Sequence, residues 1–483
     1  MRTRSVMYGA LIEKACHRTT LGLILSLGLS SSCVQVEPQA DFDEARRLVA
    51  ESTGRGEVFD PQAPGLSGEE LDSILADGLS LDEALHLALV NNRDLQADFQ
   101  EIGIAHADWV QAQLLTNPSL DVLLRFPSDG GRSMVEGLVG VELLELWQIP
   151  LREESARLSL DATVLRIARR AGESLAETRA AYYDALAADE SLRVALEGVE
   201  LASLSYEAVE SLHEAGVADA LDQSLARGPL LSAQLEVRTA RIVAANAHRA
   251  LAKRLSVARP VEELWLTDAL PQRAAGVIDS EVCVQQALES RLDLQAIATA
   301  VEALDARWRL ERRKAWGDAG VGLSAERPAG SGATLVGPSL SLSLPLFDQN
   351  QAQVASAWFR LEQMVKLHEA AQITVAQDAR SSADRVNTAA SNLAFYEREL
   401  LPQMERSLAL ARESYAAGQS TLLALIEVER QLLEARRAHI DLRLEAASSL
   451  SDMERVVGAP VGEFIVNRDI EGAGSVSEVQ QTP

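Results

Sequence analysis

The sequence predicts a mainly α-helical protein with a small membrane β-sheet, built as two tandem repeats. Three observations carry that reading. Asp94-Leu-Gln-Ala97 follows Ala88-Leu89 at the spacing with which Asp293-Leu-Gln-Ala296 follows Ala287-Leu288, so segments 79–124 and 279–325 read as two versions of one unit. Each copy leads to a pair of short stretches that alternate with period two, the signature of strands with unlike faces. Each pair is followed by a long run rich in Ala, Leu, Glu and Arg, the composition of stable helix.

The elements follow in chain order. Arg2, Arg4, Lys14 and Arg18 precede the apolar run Leu21-Gly-Leu-Ile-Leu-Ser-Leu-Gly-Leu29, which is too short to span a membrane stably. Residues 1–32 therefore read as an export signal. Ser30-Ser-Ser-Cys33 looks like a site where a signal is cut before a cysteine that then carries lipid, although Ser30 stands where a large apolar residue is usual. Lipid attachment at Cys33 is the expectation, with ordinary cleavage near Ser32 as the alternative. Cys16 would leave with the signal and Cys283 would remain without a partner, so no disulfide is available within one mature chain. Residues 33–78, rich in Pro, Gly and acids, read as a tether or belt.

Repeat 1 covers 79–258, with strands over about 119–127 and 133–147 and a helical hairpin over 151–257. A linker over 259–278 contains Pro260 and Pro271. Repeat 2 covers 279–458, with strands over about 319–327 and 333–347 and a hairpin over 349–457, and 459–483 is a C-terminal tail. In the first strand pair, Leu120, Val122, Leu124 and Phe126 alternate with Ser119, Asp121, Leu123 and Arg125, and the chain turns around Ser128-Asp-Gly-Gly131. Val135, Gly137, Val139 and Val141 then alternate with Glu136, Leu138, Gly140 and Glu142. The second pair sets Val321 and Leu323, then Leu340, Leu342 and Leu344, against Gly and Ser, with its turn around Pro328-Ala-Gly-Ser-Gly332. Such runs suit a barrel wall between lipid and water. Four strands cannot close a barrel, so the missing wall must come from other copies of the chain. The alternative is two half-buried hairpins on a soluble domain. Trp147 and Trp316, at the expected strand ends, suit an aromatic girdle or simple core packing.

Leu151 to Ala215 and Asn350 to Ala417 are helical runs with Pro402 as their one proline, each about 100 Å long at 1.5 Å per residue. Leu151, Leu158 and Leu165, like Leu401, Leu408 and Tyr415, recur at sevens, the seam spacing of coiled coils. Both runs break at a glycine, Gly216 and Gly418, fit to end a helix in the left-handed conformation. Shorter return helices, Asp219 to Val257 and Thr421 to Val457, complete the hairpins.

With 71 acidic against 45 basic residues the chain repels nucleic acid and anionic surfaces, and an acidic lumen would favour cationic cargo. No nucleophile elbow, phosphate-cradling glycine loop or metal-ligand spacing among the seven histidines is present, so no catalytic residue, cofactor or metal site is expected. His213 reads as a residue at a helix end.

Over roughly 66–458 the chain resembles the TolC-like outer-membrane efflux family, the outer-membrane factors. The resemblance rests on the two Ala-Leu…Asp-Leu-Gln-Ala helices, Leu115-Thr-Asn-Pro118, Pro345-Leu-Phe-Asp348, Tyr415-Ala-Ala-Gly418 and Leu422-Leu-Ala-Leu-Ile-Glu427. Leu146-Trp-Gln-Ile-Pro-Leu-Arg152 is similar to members that serve heavy-metal resistance-nodulation-division pumps. The resemblance implies a homotrimer with a twelve-stranded barrel in the outer-membrane lipid and a twelve-helix periplasmic tunnel. It implies a passive duct for metal cations or drugs, working with an inner-membrane pump and a periplasmic adaptor that docks on the tips at Gly216 and Gly418. By the same resemblance Asp222 and Tyr415 match a gate latch between neighbouring hairpins, and Glu427 matches a ring carboxylate. The other ring position is Ala424 and the basic latch position is Ser420, a departure that implies a reduced gate. The residues alone read differently: Asp222 suits the first turn of a helix and Glu427 a solvated face. The rival to a duct is a coiled-coil envelope lipoprotein that acts as a scaffold and conducts nothing.

Overall fold

A computed structural model describes residues 35–63, 65–126, 128, 130, 133–260, 264–271, 277–328, 333–460 and 465–466. The export signal, Cys33, most of the expected tail and parts of both expected strand turns lie outside the described residues.

The expected tether is largely helical. Helix α1 (Gln39–Thr53) lays Phe42, Ala45 and Val49 on one face, all buried in the largest core cluster with Phe99 and Ile102. Helix α2 (Gly68–Ala76) opens on a capping box in which Ser67 and Glu70 satisfy each other's backbone N–H groups. Pro, Gly and acid content masked an apolar stripe of only a few residues.

The body then runs α3 (Leu81–Val90), α4 (Arg93–Gln113), β1 (Ser119–Arg125), β2 (Met134–Glu142), α5 (Leu144–Glu214) and α6 (Ala220–Arg254). The same order returns as α7 (Ser280–Ser290), α8 (Leu292–Lys314), β4 (Ala319–Arg327), β5 (Leu335–Leu342), α9 (Gln351–Phe395), a π-helical turn (Tyr396–Leu400), α10 (Leu401–Ala416) and α11 (Leu422–Val457). Between the two sets, β3 (Val277–Ile278) pairs with β6 (Ile465–Val466). The capping box of α3 joins Ser80 and Glu83, and Asn92 caps α4 through the Asp94 N–H at 3.0 Å.

Three differences from the sequence reading have local causes. β2 and β5 end earlier than expected, and Trp147 lies in the opening turns of α5 rather than at a strand end. Pro150 consequently falls inside α5, where its missing N–H leaves the Leu146 carbonyl without its helical donor. The long run after Asn350 is not one α-helix: the π-helical turn ends two residues before Pro402, whose ring opposes a regular bond to the carbonyl of Arg398. The seam of α5 is Leu160, Val164, Ile167, Ala168, Ala171 and Leu175, all buried, whereas Leu158 and Leu165 are half-buried. The buried stripe is shifted in register and wider than a coiled-coil seam, because α5 packs on α1, α3 and α4 as well as on α6.

A second cluster gathers Cys283, Val284 and Ala287 of α7 with Val375, Ala379 and Val386 of α9 and Met453 and Val456 of α11. Near Gly418 the expected sevens do hold, since Leu401, Leu408 and Tyr415 of α10 pack with Leu425, Val428 and Leu432 of α11.

Candidate functional site

The four long strands form one antiparallel sheet in the order β1-β2-β4-β5, so the two hairpins are joined through β2 and β4. The registers decide the chemistry of its faces. Leu120 pairs with Val139, Val139 with Leu323, Val141 with Val321, and Val321 with Leu340, so one side is apolar across all four strands. Leu120, Val122, Leu124, Val336 and Leu340 of that side are exposed. The opposite face carries Asp121, Glu136, Glu142, Ser324, Glu326, Ser339 and Ser341 between glycines. It is crowded: a Cβ on Gly322 would lie 2.5 Å from the Val139 carbonyl oxygen, and one on Gly320 would lie 2.7 Å from Ser341 Oγ. Within the chain β1 and β5 are edges, with half of their backbone donors and acceptors unpaired by the sheet.

The helical tips share one design. At Gly216, with φ +74°, the Val217 N–H reaches the Leu212 carbonyl and the Gly216 N–H reaches that of His213, both at 2.9 Å. At Gly418, with φ +71°, Gln419 and Gly418 make the corresponding bonds to Ser414 and Tyr415 at 2.9 Å. These paired bonds satisfy the last carbonyls of α5 and α10 and require a positive φ that glycine adopts without strain. His213 bonds through Nδ1 to the Ala218 carbonyl, tightening the first tip.

Asp222 lies in the first turn of α6. Its carboxylate accepts from the Asp219 N–H at 3.2 Å, while the Asp222 N–H donates to Asp219 Oδ1 at 2.9 Å, a capping box. Tyr415 is half-buried in the α10–α11 seam. No hydrogen bond joins Asp222 to Tyr415 among the described residues of the single chain. Glu427 is exposed but not bare: Arg430 grips it with Nε at 3.0 Å and Nη2 at 2.6 Å, and Gln431 donates at 2.9 Å. These donors bring its carboxyl down to about 2.

Sequence reasoning missed a polar ladder between α5 and α11. Running forward along α5 and back along α11, Arg179 pairs with Glu454, Glu190 with Arg443 at 2.7 Å, Glu197 with Arg436 at 2.9 Å, and Ser205 with Glu429 at 3.2 Å. Arg443 also donates to the carbonyls of Leu270 and Pro271, tying the linker to both helices. Glu429 is buried, which pushes its carboxyl up, and Arg412 stands 3.7 Å away. The heptad spacing of Glu190 with Glu197 and of Arg436 with Arg443 was the available signal.

Among the described residues no cluster of His, Cys, Asp and Glu is arranged to hold a metal ion, and no helix is long and apolar enough to cross a membrane. The latter says nothing of a β-barrel.

Comparison with known proteins agrees with this geometry. Residues 283–459 match the family described as Outer membrane efflux protein. The cobalt-zinc-cadmium resistance protein CzcC of Cupriavidus metallidurans is 22% identical over 393 residues, covering 79% of this chain and 91% of that protein. The pyoverdine export outer membrane protein OpmQ of Pseudomonas aeruginosa is 24% identical over 413 residues, covering 78% and 85%. The crystal structure of the Campylobacter jejuni CmeC outer membrane channel shares the fold, with a TM-score of 0.68 at 16% identity over 88% of this chain and 93% of that one. With an apolar-faced sheet joined to long helical hairpins, and relatives that align over most of their own length, the chain is similar to the outer membrane efflux protein family, whose pattern its residues 283–459 carry.

Proposed function

We propose that three copies of this chain close their sheets edge to edge into a twelve-stranded barrel, with β5 of each copy against β1 of the next. The carrying observation is the sheet itself: an apolar, exposed face on all four strands, with two open edges. Hydrocarbon offers backbone groups no water, so those edges have to be paired by protein. The crowding at Gly320 and Gly322 supports tight curvature with the polar face inward. Exposed Leu221, Leu235 and Ile242 on α6, and Phe359, Leu367 and Ile373 on α9, are apolar surface for neighbouring copies in a helical tunnel.

In this reading the trimer is the outer-membrane duct of a tripartite efflux system, passive itself, with energy supplied by an inner-membrane pump of the resistance-nodulation-division type. A periplasmic adaptor docks at the tips around Gly216 and Gly418, and a latch between Asp222 and Tyr415 of neighbouring copies holds the duct shut. The CzcC relative and the Leu146–Arg152 segment favour divalent metal cations as cargo, which the acidic inner face would not repel. Cys33 carries lipid that supplements the barrel as an anchor.

The test is reconstitution. Purified protein should run as a trimer in detergent and conduct ions across planar bilayers. A monomer, or a trimer without conductance, would leave the scaffold lipoprotein as the surviving reading.

A further inference from the structure

The end of α1, the middle of α5, the start of α8 and the C-terminal end of α11 converge on a cavity of about 90 Å³. Arg55, Arg169, Arg179 and Arg455 line it, with Glu454 as the one acidic side chain in its wall among the described residues. Three of these guanidiniums have close carboxylate partners: Arg55 with Asp82, Arg179 with Glu454, and Arg455 with Asp452. Arg169 differs. It is 8% exposed, and its Nη1 donates to the Arg455 carbonyl at 2.6 Å, at the end of α11. Its Nε and Nη2 are buried without a hydrogen-bond partner, and the nearest carboxylate, Glu173, is 3.4 Å from Nε outside hydrogen-bonding geometry. Leaving charged donors buried and unbonded is costly, and a guanidinium's Nε and Nη2 form the edge that matches two oxygens of a carboxylate or phosphate.

We propose that this cavity is a binding site for one small oxyanion group, a carboxylate or a phosphate, held by the edge of Arg169 that makes no hydrogen bond. Its volume is on the order of three water molecules, taking about 30 Å³ each, which suits such a group. An occupant would brace α5 against the end of α11, adding to the ladder between the same two helices. The efflux reading uses none of these residues, so the site stands or falls independently of it.

The test is thermal unfolding of the full-length protein in detergent, titrated with sodium acetate or sodium phosphate against sodium chloride at equal ionic strength. A saturable rise in Tm of about 2–4 °C over chloride is expected from at least one of the two anions. Ala176→Phe, which fills the cavity and leaves Arg169 in place, should abolish the rise. Arg169→Lys, which keeps the charge but loses the fork, should move the midpoint to at least tenfold higher concentration. A response to acetate alone assigns a carboxylate ligand and a response to phosphate alone a phosphate group. No rise over chloride, or a rise unchanged in either variant, means that the cavity holds only water and overturns the proposal.

Discussion

Asp41 Oδ2 lies 2.6 Å from His106 Nδ1 in a buried contact between α1 and α4, and Asp41 Oδ1 lies 3.2 Å from Arg157 of α5. One carboxylate thus fastens the N-terminal helix to two elements of the body. Arg157 also stacks over Trp109, 5.2 Å from the ring centroid, closing the site from the side. Asp41→Ala takes the carboxylate from buried His106, while Arg157 keeps Asp161 at 3.1 Å, and should destabilise the protein by about 1.5–3 kcal/mol. The loss should appear first as proteolytic cleavage within 39–53, before the rest of the chain yields. Cleavage at the wild-type rate would show that the apolar face of α1 suffices.

His248 gives a pH dependence with a definite sign. Its Nε2 meets Asp189 at 2.9 Å, and that hydrogen bond raises its pKa, outweighing the opposing effect of burial. Because the folded value lies above the unfolded one, near 6.5, the pair stabilises fully below the unfolded value and loses its contribution as pH rises through the folded value. The Tm difference between wild type and His248→Gln should be largest near pH 5.5 and shrink toward pH 8.5. A difference independent of pH would mean that packing alone accounts for His248.

The proposed latch is testable by a cycle that separates it from the helix cap. Tyr415→Phe and Asp222→Ala should each raise single-channel conductance, and together by less than the sum, since both delete the same bond. Asp219→Ala also dismantles the capping box, at about 1 kcal/mol, while leaving the Asp222 carboxylate in place. It should leave conductance unchanged. An equal gain from Asp219→Ala would assign Asp222 to helix capping alone.

Glu427 is tied up by Arg430 in a way that predicts weak multivalent block in the wild type. Arg430→Gln should release Glu427 and Glu434 in each copy, six carboxylates per trimer, and strengthen block by divalent cations from the tip side. Glu427→Gln in that background should reverse the gain. If block in Arg430→Gln matches wild type, the carboxylates lie outside the conducting path.

The two kinds of sheet glycine should respond differently. A Cβ on Gly322 would meet the Val139 carbonyl at 2.5 Å, whereas one on Gly137 would meet nothing within 4 Å. Gly322→Ala should lower the yield of assembled trimer on gel filtration, and Gly137→Ala should leave it intact. Equal yields would argue against a sharply curved wall.

Local pattern alone determined much of this protein. Period-two alternation located β1 at Ser119 and β4 at Ala319, and Gly216 and Gly418 marked the helix ends, because strand faces and left-handed caps are set by neighbours in sequence. Other features required the tertiary structure. The pairing of β2 with β4 joins residues such as Val141 and Val321, which alternation cannot match to one another. The ladder from Arg179–Glu454 to Ser205–Glu429 depends on which faces of α5 and α11 meet. The unbonded edge of Arg169 appears only where four separate elements meet around one cavity, since a buried side chain's partners come from packing rather than from adjacent residues.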